Sequence, residues 1–111
     1  MNNRYCIPAE ATVRQALVQL NTLPGATMVL FVTDADGRLL GTVTDGDIRR
    51  ALIRGTSLDS PVTEAAHTDF RYIRRGSRDV EAMKRCREAG ITLLPVLDDE
   101  GRPVDIIDLT C

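Results

Sequence analysis

The sequence predicts an α/β fold made of two tandem repeats of β-α-β-β-α type that pack with pseudo-two-fold symmetry. Three observations support this prediction: an internal repeat, one segment of helical periodicity in each copy, and two short apolar runs joined by an Asp- and Gly-rich turn in each copy. The chain has 111 residues, of which 43% are hydrophobic and 27% charged. This balance is typical of one folded globular domain rather than a disordered chain.

The internal repeat is clearest between residues 31–45 and 95–109. When FVTDADGRLLGTVTD is set above PVLDDEGRPVDIIDL, matching residues are offset by 64 throughout. Upstream, Ala16 matches Ala82 at an offset of 66, so the first copy has about two extra residues around TLPGA. Because neither half is large enough to bury a good core alone, we expect the two halves to pack against each other.

In the first copy, a helix is predicted over residues 12–20, because the apolar residues recur at helical spacing and Thr12 is a suitable N-cap. MVLFV and LLGTV suit buried strands, and DADG between them supplies a tight turn. A closing helix is predicted over residues 46–55. Its inward residues are expected to be Ile48, Ala51 and Leu52.

The second copy follows the same order of elements. A helix is predicted over residues 79–90, with Asp79 as its cap and with Ala82, Met83 and Cys86 on one side. TLLPV, DDEG and PVDII then form the second hairpin. We therefore assign residues 1–55 to the first repeat, 56–70 to a linker and 71–111 to a second repeat that lacks its final helix.

The junction GTVTDGDI, which begins at Gly41, contains the candidate binding chemistry. The start of a helix presents unpaired N–H groups that suit a phosphate, and Thr44 offers a hydroxyl beside them. Asp47 offers two acceptor oxygens to vicinal hydroxyls, while Gly41 and Gly46 allow a ligand close to the backbone. The alternative interpretation is that the carboxylates only cap the helix and Gly46 only serves a turn.

These features together resemble the CBS domain pair, also called a Bateman module. The family pattern G-h-h-T-x-x-D is met by the junction, although Thr42 stands where an apolar residue is more usual. The resemblance implies a regulatory module that binds AMP, ADP or ATP, with the Asp on the ribose hydroxyls and the Thr on phosphate. The nucleotide-binding residues that it implies are Gly41, Thr42, Val43, Thr44, Asp47, Ile7, Met28, Leu30 and Arg74.

The second copy departs from this pattern. Asp105, Asp108 and Cys111 stand at the positions of the motif's Gly, Thr and Asp. A carboxylate at position 108 repels phosphate, so we expect at most one competent site, in the first repeat.

The stretch FRYIRRGSR, residues 70–78, combines four arginines with two aromatic residues. It fits either a nucleic-acid stripe or a strand edge kept soluble by charge, and the net charge of −2 favours the strand edge. In the CBS family, basic residues of one repeat also reach phosphate held by the other. That is the role expected here of Arg74 or Arg75.

A narrower resemblance concerns the attached enzyme. TDGDIRRAL is similar to CBS pairs of sugar-phosphate enzymes: nucleotidyltransferases resembling mannose-1-phosphate guanylyltransferase, where the pair precedes the catalytic domain, and arabinose-5-phosphate isomerases, where it follows. Met1 lies just before the first repeat, and Cys111 lies where the second closing helix ought to begin. We therefore expect the module of a nucleotidyltransferase whose downstream domain is absent from this chain, with the isomerase-like pair as the alternative.

No catalytic residue, metal ligand or required cofactor is predicted. The sequence has no P-loop and no nucleophile elbow, and the one histidine, His67, has no Cys or His at ligand spacing. Three separated cysteines and no signal-like segment favour a cytoplasmic protein. We expect a homodimer that binds adenine nucleotide and neither nucleic acid nor membrane. The alternative from another class is a structural dimerisation module without ligand.

Overall fold

Two α/β units make up the chain, one extending to Phe70 and the other beginning at Arg71. The computed structural model describes residues 3–23, 29–77, 79–91 and 93–109. In chain order the strands and helices are β1 (Cys6–Pro8), α1 (Val13–Leu20), β2 (Val29–Thr33), β3 (Leu39–Thr44), α2 (Asp45–Ile53), β4 (Ile73–Arg74), α3 (Val80–Glu88), β5 (Leu93–Leu97) and β6 (Pro103–Asp108). Two three-stranded sheets and three α-helices in the described ranges confirm the predicted α/β class.

Each unit has a sheet in which a parallel strand extends an antiparallel hairpin. β1 pairs with β2 and β2 with β3, while β4 pairs with β5 and β5 with β6. The registers correspond: Leu30 lies opposite Val43, and Leu94 lies opposite Ile107, each 64 residues later. Both hairpins also have a register shift at the corresponding place. The internal repeat is thus confirmed at the level of individual strand partners.

The two hairpin turns are built alike. Asp34 Oδ1 accepts the backbone N–H groups two and four residues ahead at 2.9 Å, and Asp98 Oδ1 accepts the corresponding pair at 2.9 Å. Gly37 and Gly101 have φ of 83° and 84°, a region that favours glycine. In the second turn, the N–H of Arg102 is the main cause of a lowered pKa at the Asp98 carboxyl.

The first unit buries a continuous aliphatic core between its helices and sheet. Thr12 caps α1 as predicted, and both α1 and α2 turn their small and branched residues inward. Ile48 and Ala51 are buried, but Leu52 is 37% exposed, so the prediction that Leu52 points inward is wrong. The buried members of this core are Ile7, Ala11, Val13, Ala16, Leu20, Leu23, Leu30, Val32, Val43, Ile48, Ala51, Val62 and Ala65.

The segment expected to be a linker contributes to that core. Val62 is fully buried, and its N–H donates to the carbonyl of Ala11 at 2.7 Å. Further on, His67 exchanges two backbone hydrogen bonds with Thr42 of β3, at 2.9 and 2.7 Å. Residues 56–67 therefore extend along the first unit and cover the outer edge of β3.

The second unit has a smaller described core. Ile73, Leu94 and Leu109 are buried, and α3 contributes partly buried residues to it. Asp79 caps α3 as predicted, accepting the N–H of Ala82 at 2.9 Å. The residues of α3 that face the core are the three predicted, Ala82, Met83 and Cys86.

Candidate functional site

The junction between β3 and α2 has no intervening loop. Thr44 is the last residue of β3 and also the N-cap of α2, with an extended backbone at φ −114° and ψ 168°. Its hydroxyl oxygen accepts the N–H of Asp47 at 3.1 Å, and Asp47 Oδ2 accepts the N–H of Thr44 at 3.0 Å. This reciprocal capping box holds the hydroxyl and the carboxylate side by side. The capping role that the sequence left open is therefore present.

Each carboxylate at the start of α2 is also paired with an arginine one turn later. Asp47 Oδ1 accepts from Arg50 Nη2 at 2.7 Å, and Asp45 is paired with Arg49. The side chain of Asp47 is only 19% exposed, whereas that of Arg50 is 65% exposed. These two pairs compensate the two negative charges that would otherwise oppose an anion at the start of the helix.

The junction keeps capacity for a polar ligand. A carboxylate offers about four acceptor positions, and the described contacts use one on each oxygen of Asp47. The first-turn N–H groups of a helix have no partner within the helix, and here they belong to Asp45 and Gly46. Vicinal hydroxyls at Asp47 and an anion beside Thr44 are therefore chemically compatible with this geometry.

Gly41 is required by a close backbone neighbour. A Cβ placed on Gly41 would lie 2.8 Å from the carbonyl oxygen of His67 and 3.3 Å from Cβ of Ala66. This strand position must be glycine because the segment ending at His67 pairs along the edge of β3. The sequence had suggested a ligand as the reason, and the structure supplies one within the chain.

Gly46 has a different environment. It lies in the first turn of α2 and is not among the glycines with positive φ, so its backbone does not require glycine. A Cβ there would lie 3.3 Å from Nη1 of Arg50, the movable end of a long side chain. The space above Gly46 is thus filled by the guanidinium that pairs with Asp47.

The apolar residues of the predicted site lie in the core. Ile7, Leu30 and Val43 are 2%, 0% and 0% exposed, so as the structure stands they are core residues rather than an open ligand surface. Thr42 is half-buried, and its backbone is hydrogen-bonded to His67. Met28 lies outside the described residues.

Arg74 lies in the other unit. It is exposed on β4 and faces Leu97 of β5 in the parallel register. The structure places it on a sheet edge, consistent with the soluble-edge interpretation of this stretch. Its contact with a phosphate held by the first repeat remains a prediction.

The second copy of the motif shows how the substitutions change the site. Asp105 lies opposite Val96 as Gly41 lies opposite Val32, and its exposed side chain accepts the N–H of Ile106 at 2.8 Å. Asp108, at the position of Thr44, is also exposed. Cys111 lies outside the described residues. Two carboxylates therefore lie along β6 where the first copy has a glycine and a cap hydroxyl.

Two features of the site were missed by sequence reasoning. The spacing of Asp47 and Arg50 allows an i, i+3 ion pair, so the sequence contained a signal for this contact, but the pair was not predicted. The pairing of His67 with β3 gave no local signal, because it joins backbone groups of residues far apart in the sequence.

The described ranges contain neither a group of metal ligands nor a membrane-spanning helix. No group of three His, Cys, Asp or Glu side chains there is arranged to hold a metal ion. None of the described helices has the length and apolar character needed to cross a membrane.

Comparison with known proteins supports the resemblance to the CBS domain over the first half of the chain. The family model of the CBS domain matches residues 1–54. Arabinose 5-phosphate isomerase GutQ of Shigella flexneri is 35% identical over 99 residues, which is 89% of this chain and 30% of the relative. The chain thus spans about a third of the length of its curated relatives. These relatives favour our alternative, the isomerase-like pair, over the nucleotidyltransferase that we had expected.

Solved structures show the same fold over nearly the whole chain. The cystathionine β-synthase pair domain of a candidate Mg²⁺ transporter from Shewanella oneidensis MR-1 has a TM-score of 0.79 at 24% identity, covering 94% of this chain and 58% of that one. A CBS domain protein from Pyrobaculum aerophilum complexed with AMP has a TM-score of 0.73 at 22% identity, covering 94% and 79%. The cytosolic domain of the Mg²⁺ channel MgtE in complex with ATP has a TM-score of 0.77 at 25% identity, covering 98% and 44%. Residues 1–54 therefore match the family model of the CBS domain, and the chain has the fold of CBS domain pairs.

Proposed function

We propose that this chain is a regulatory module that binds an adenine nucleotide at the start of α2, in the first repeat. The observation that supports this most is the capping box, which holds the Thr44 hydroxyl and the Asp47 carboxylate together inside the half that matches the CBS family. Structural neighbours complexed with AMP and ATP make an adenine nucleotide the first ligand class to test. AMP, ADP and ATP all remain candidates.

The proposed roles follow from the donors and acceptors at the junction. Asp47 accepts hydrogen bonds from the two ribose hydroxyls, because its carboxylate has acceptor positions beyond the one that the capping box uses. Thr44 donates its hydroxyl hydrogen to phosphate while its oxygen continues to accept the N–H of Asp47. The open N–H groups of the first helical turn add donors for the same anion.

The parent protein is proposed to be similar to an arabinose 5-phosphate isomerase. The chain matches about 30% of the length of such a relative. The module would then adjust isomerase activity to nucleotide level, and the coupling cannot exceed the ligand's difference in affinity between the two states of the enzyme. We expect the module to associate as a homodimer in the cytoplasm.

The test compares two threonines in equivalent capping boxes. Thr12 and Gln15 form the same reciprocal bonds at the start of α1, at 3.1 and 2.8 Å, so Thr12→Val and Thr44→Val remove the same kind of cap. Each variant should lose about 0.5–2 kcal/mol of stability. Isothermal titration calorimetry should then show AMP affinity unchanged in Thr12→Val and reduced about tenfold in Thr44→Val, the loss expected for one hydrogen bond to a charged group.

Equal AMP affinity in the two variants would remove Thr44 from the site. A specific alternative also has support, because both oxygens of Asp47 already have partners within the chain. If AMP, ADP, ATP and S-adenosylmethionine at millimolar concentration all fail to raise the melting temperature of the wild-type chain, the structural dimerisation module is the better interpretation.

A further inference from the structure

The contact between Arg50 and Asp47 bears on which ligands the site accepts. The Arg50 guanidinium lies against Gly46 and donates to Asp47 Oδ1 at 2.7 Å. It is therefore positioned over the first turn of α2 by two independent features, the ion pair and the absence of a Cβ on Gly46. In this arrangement Arg50 covers the acceptor that the ribose needs.

We propose that Arg50 is an exchangeable partner that makes the site selective for phosphorylated nucleosides over unphosphorylated ones, a role that rests on the proposed function. In the free chain Arg50 donates a hydrogen bond to Asp47 Oδ1 and so blocks this oxygen from a ligand. When a nucleotide binds, the ribose hydroxyls replace the guanidinium on Asp47, and the released guanidinium turns to the phosphate.

The exchange is feasible because the two partners differ in exposure. The Arg50 side chain is 65% exposed and the Asp47 side chain is 19% exposed, so the arginine can leave without disturbing the capping box. An exposed ion pair is weak, and its loss lowers affinity by no more than about fivefold. A guanidinium hydrogen-bonded to phosphate recovers more than that, since charge-assisted and bidentate bonds are the stronger kind.

A ligand without phosphate does not recover this loss. Adenosine has the hydroxyls that displace Arg50 but no anion to receive it, so the released charge returns to solvent. The same arginine thus opposes a nucleoside and favours a nucleotide. Arg49 is a matched reference on the same helix, because it is similarly exposed, at 71%, and pairs with Asp45 rather than Asp47.

The experiment measures adenosine and AMP affinity by calorimetry in the wild-type chain, Arg50→Gln, Arg50→Lys and Arg49→Gln. In Arg50→Gln, adenosine should bind equally or up to about fivefold tighter, and AMP about tenfold weaker. The preference for AMP over adenosine should therefore fall at least tenfold. Arg50→Lys should keep part of the preference because it retains the charge. Arg49→Gln leaves Asp45 unpaired, so it should lower the preference slightly, and far less than Arg50→Gln does.

Three outcomes would overturn the exchange, and they are distinguishable. If the wild-type chain binds AMP but the preference for AMP over adenosine is the same in Arg50→Gln, the exchange is wrong and the proposed function stands. If Arg50→Gln and Arg49→Gln lower AMP affinity equally, the effect is general charge attraction and the exchange is again wrong. If the wild-type chain binds neither ligand, the proposed function and the exchange are both overturned.

Discussion

Replacement of Gly41 by alanine tests the structure around the candidate site most directly. The new Cβ would lie 2.8 Å from the carbonyl oxygen of His67, closer than real Cβ atoms approach a backbone atom. That oxygen accepts the N–H of Thr42 at 2.9 Å, and the N–H of His67 donates to the Thr42 carbonyl at 2.7 Å. Since this nearest atom belongs to the backbone, it cannot rotate away as a side chain can. The segment ending at His67 must move off β3.

The expected loss of stability can be assembled from these contacts. Two backbone hydrogen bonds contribute about 0.5–1.5 kcal/mol each, and overpacking adds about 1–3 kcal/mol. The reduced entropy of the unfolded chain offsets about 0.4–1 kcal/mol when glycine is replaced. We therefore expect Gly41→Ala to lower the free energy of unfolding by about 1–5.6 kcal/mol. At about 4 °C per kcal/mol for a chain of this size, the melting temperature should fall by roughly 4–22 °C.

The matched control is Gly46→Ala, which also introduces one methyl group in the same motif. The added Cβ meets only the end of the Arg50 side chain, and the backbone is helical, so stability should be unchanged or raised by up to about 1 kcal/mol. Urea unfolding followed by circular dichroism measures both variants. If Gly41→Ala is as stable as Gly46→Ala, the pairing of His67 with β3 does not exist in solution, and the explanation of Gly41 fails.

Two further predictions concern titratable groups. The N–H groups of Arg102 and Glu100 lower the pKa of the Asp98 carboxyl in the folded chain. Asp98 therefore stabilises the fold at pH values above its unfolded pKa of about 3.9. This stabilisation is lost as the pH falls through the pKa of Asp98 in the folded chain. The urea midpoint should therefore drop between pH 5 and pH 2 by less in Asp98→Asn than in the wild type, and equal drops would contradict this role. Burial raises the pKa of the Cys6 thiol, so at pH 8 iodoacetamide should label Cys6 more slowly in the folded chain than in urea. Mass spectrometry of the labelled peptides measures both rates, and equal rates would refute the burial of Cys6.

The hairpins and helices were predictable because their signals are local. Asp at the start of the turn and Gly in the positive-φ position recur 64 residues apart, and both turns form with the same bonds. Helical spacing and N-caps located α1 and α3 to within a few residues. The motif also drew attention to Thr44 and Asp47, and each of these side chains accepts the backbone N–H of the other residue. In each case the interacting groups lie within a few residues of each other in the sequence.

The features that the sequence did not predict depend on contacts between residues that are far apart in the chain. The segment containing Val62 was expected to connect the repeats, because its composition is that of a linker, yet Val62 is fully buried in the first unit. Leu52 was assigned to the inward face of α2 by helical spacing, but it lies at the margin of that face and is 37% exposed. Sequence periodicity shows which residues share the apolar face of a helix. The burial of each of these residues depends on which neighbouring element covers it.

The identity of the attached enzyme was beyond the reach of the residues for a different reason. TDGDIRRAL resembles the CBS pairs of both nucleotidyltransferases and isomerases, so the choice between them rested on where the sequence begins and ends. The similarity to arabinose 5-phosphate isomerases now favours the second group. The motif indicates the local chemistry of the β3–α2 junction. That chemistry does not distinguish the two kinds of enzyme.

The motif residues all have roles within the protein, and this bears on how far the motif itself supports ligand binding. Gly41 makes room for His67, and Thr44 and Asp47 cap α2. In the second copy Asp105, at the position of Gly41, is exposed, so its departure from the motif needs no reference to a ligand. Binding therefore has to be inferred from the acceptor capacity left on Asp47, and Arg50 occupies part of that capacity. The preference for AMP over adenosine in Arg50→Gln is the measurement that separates a nucleotide site from a well-capped helix.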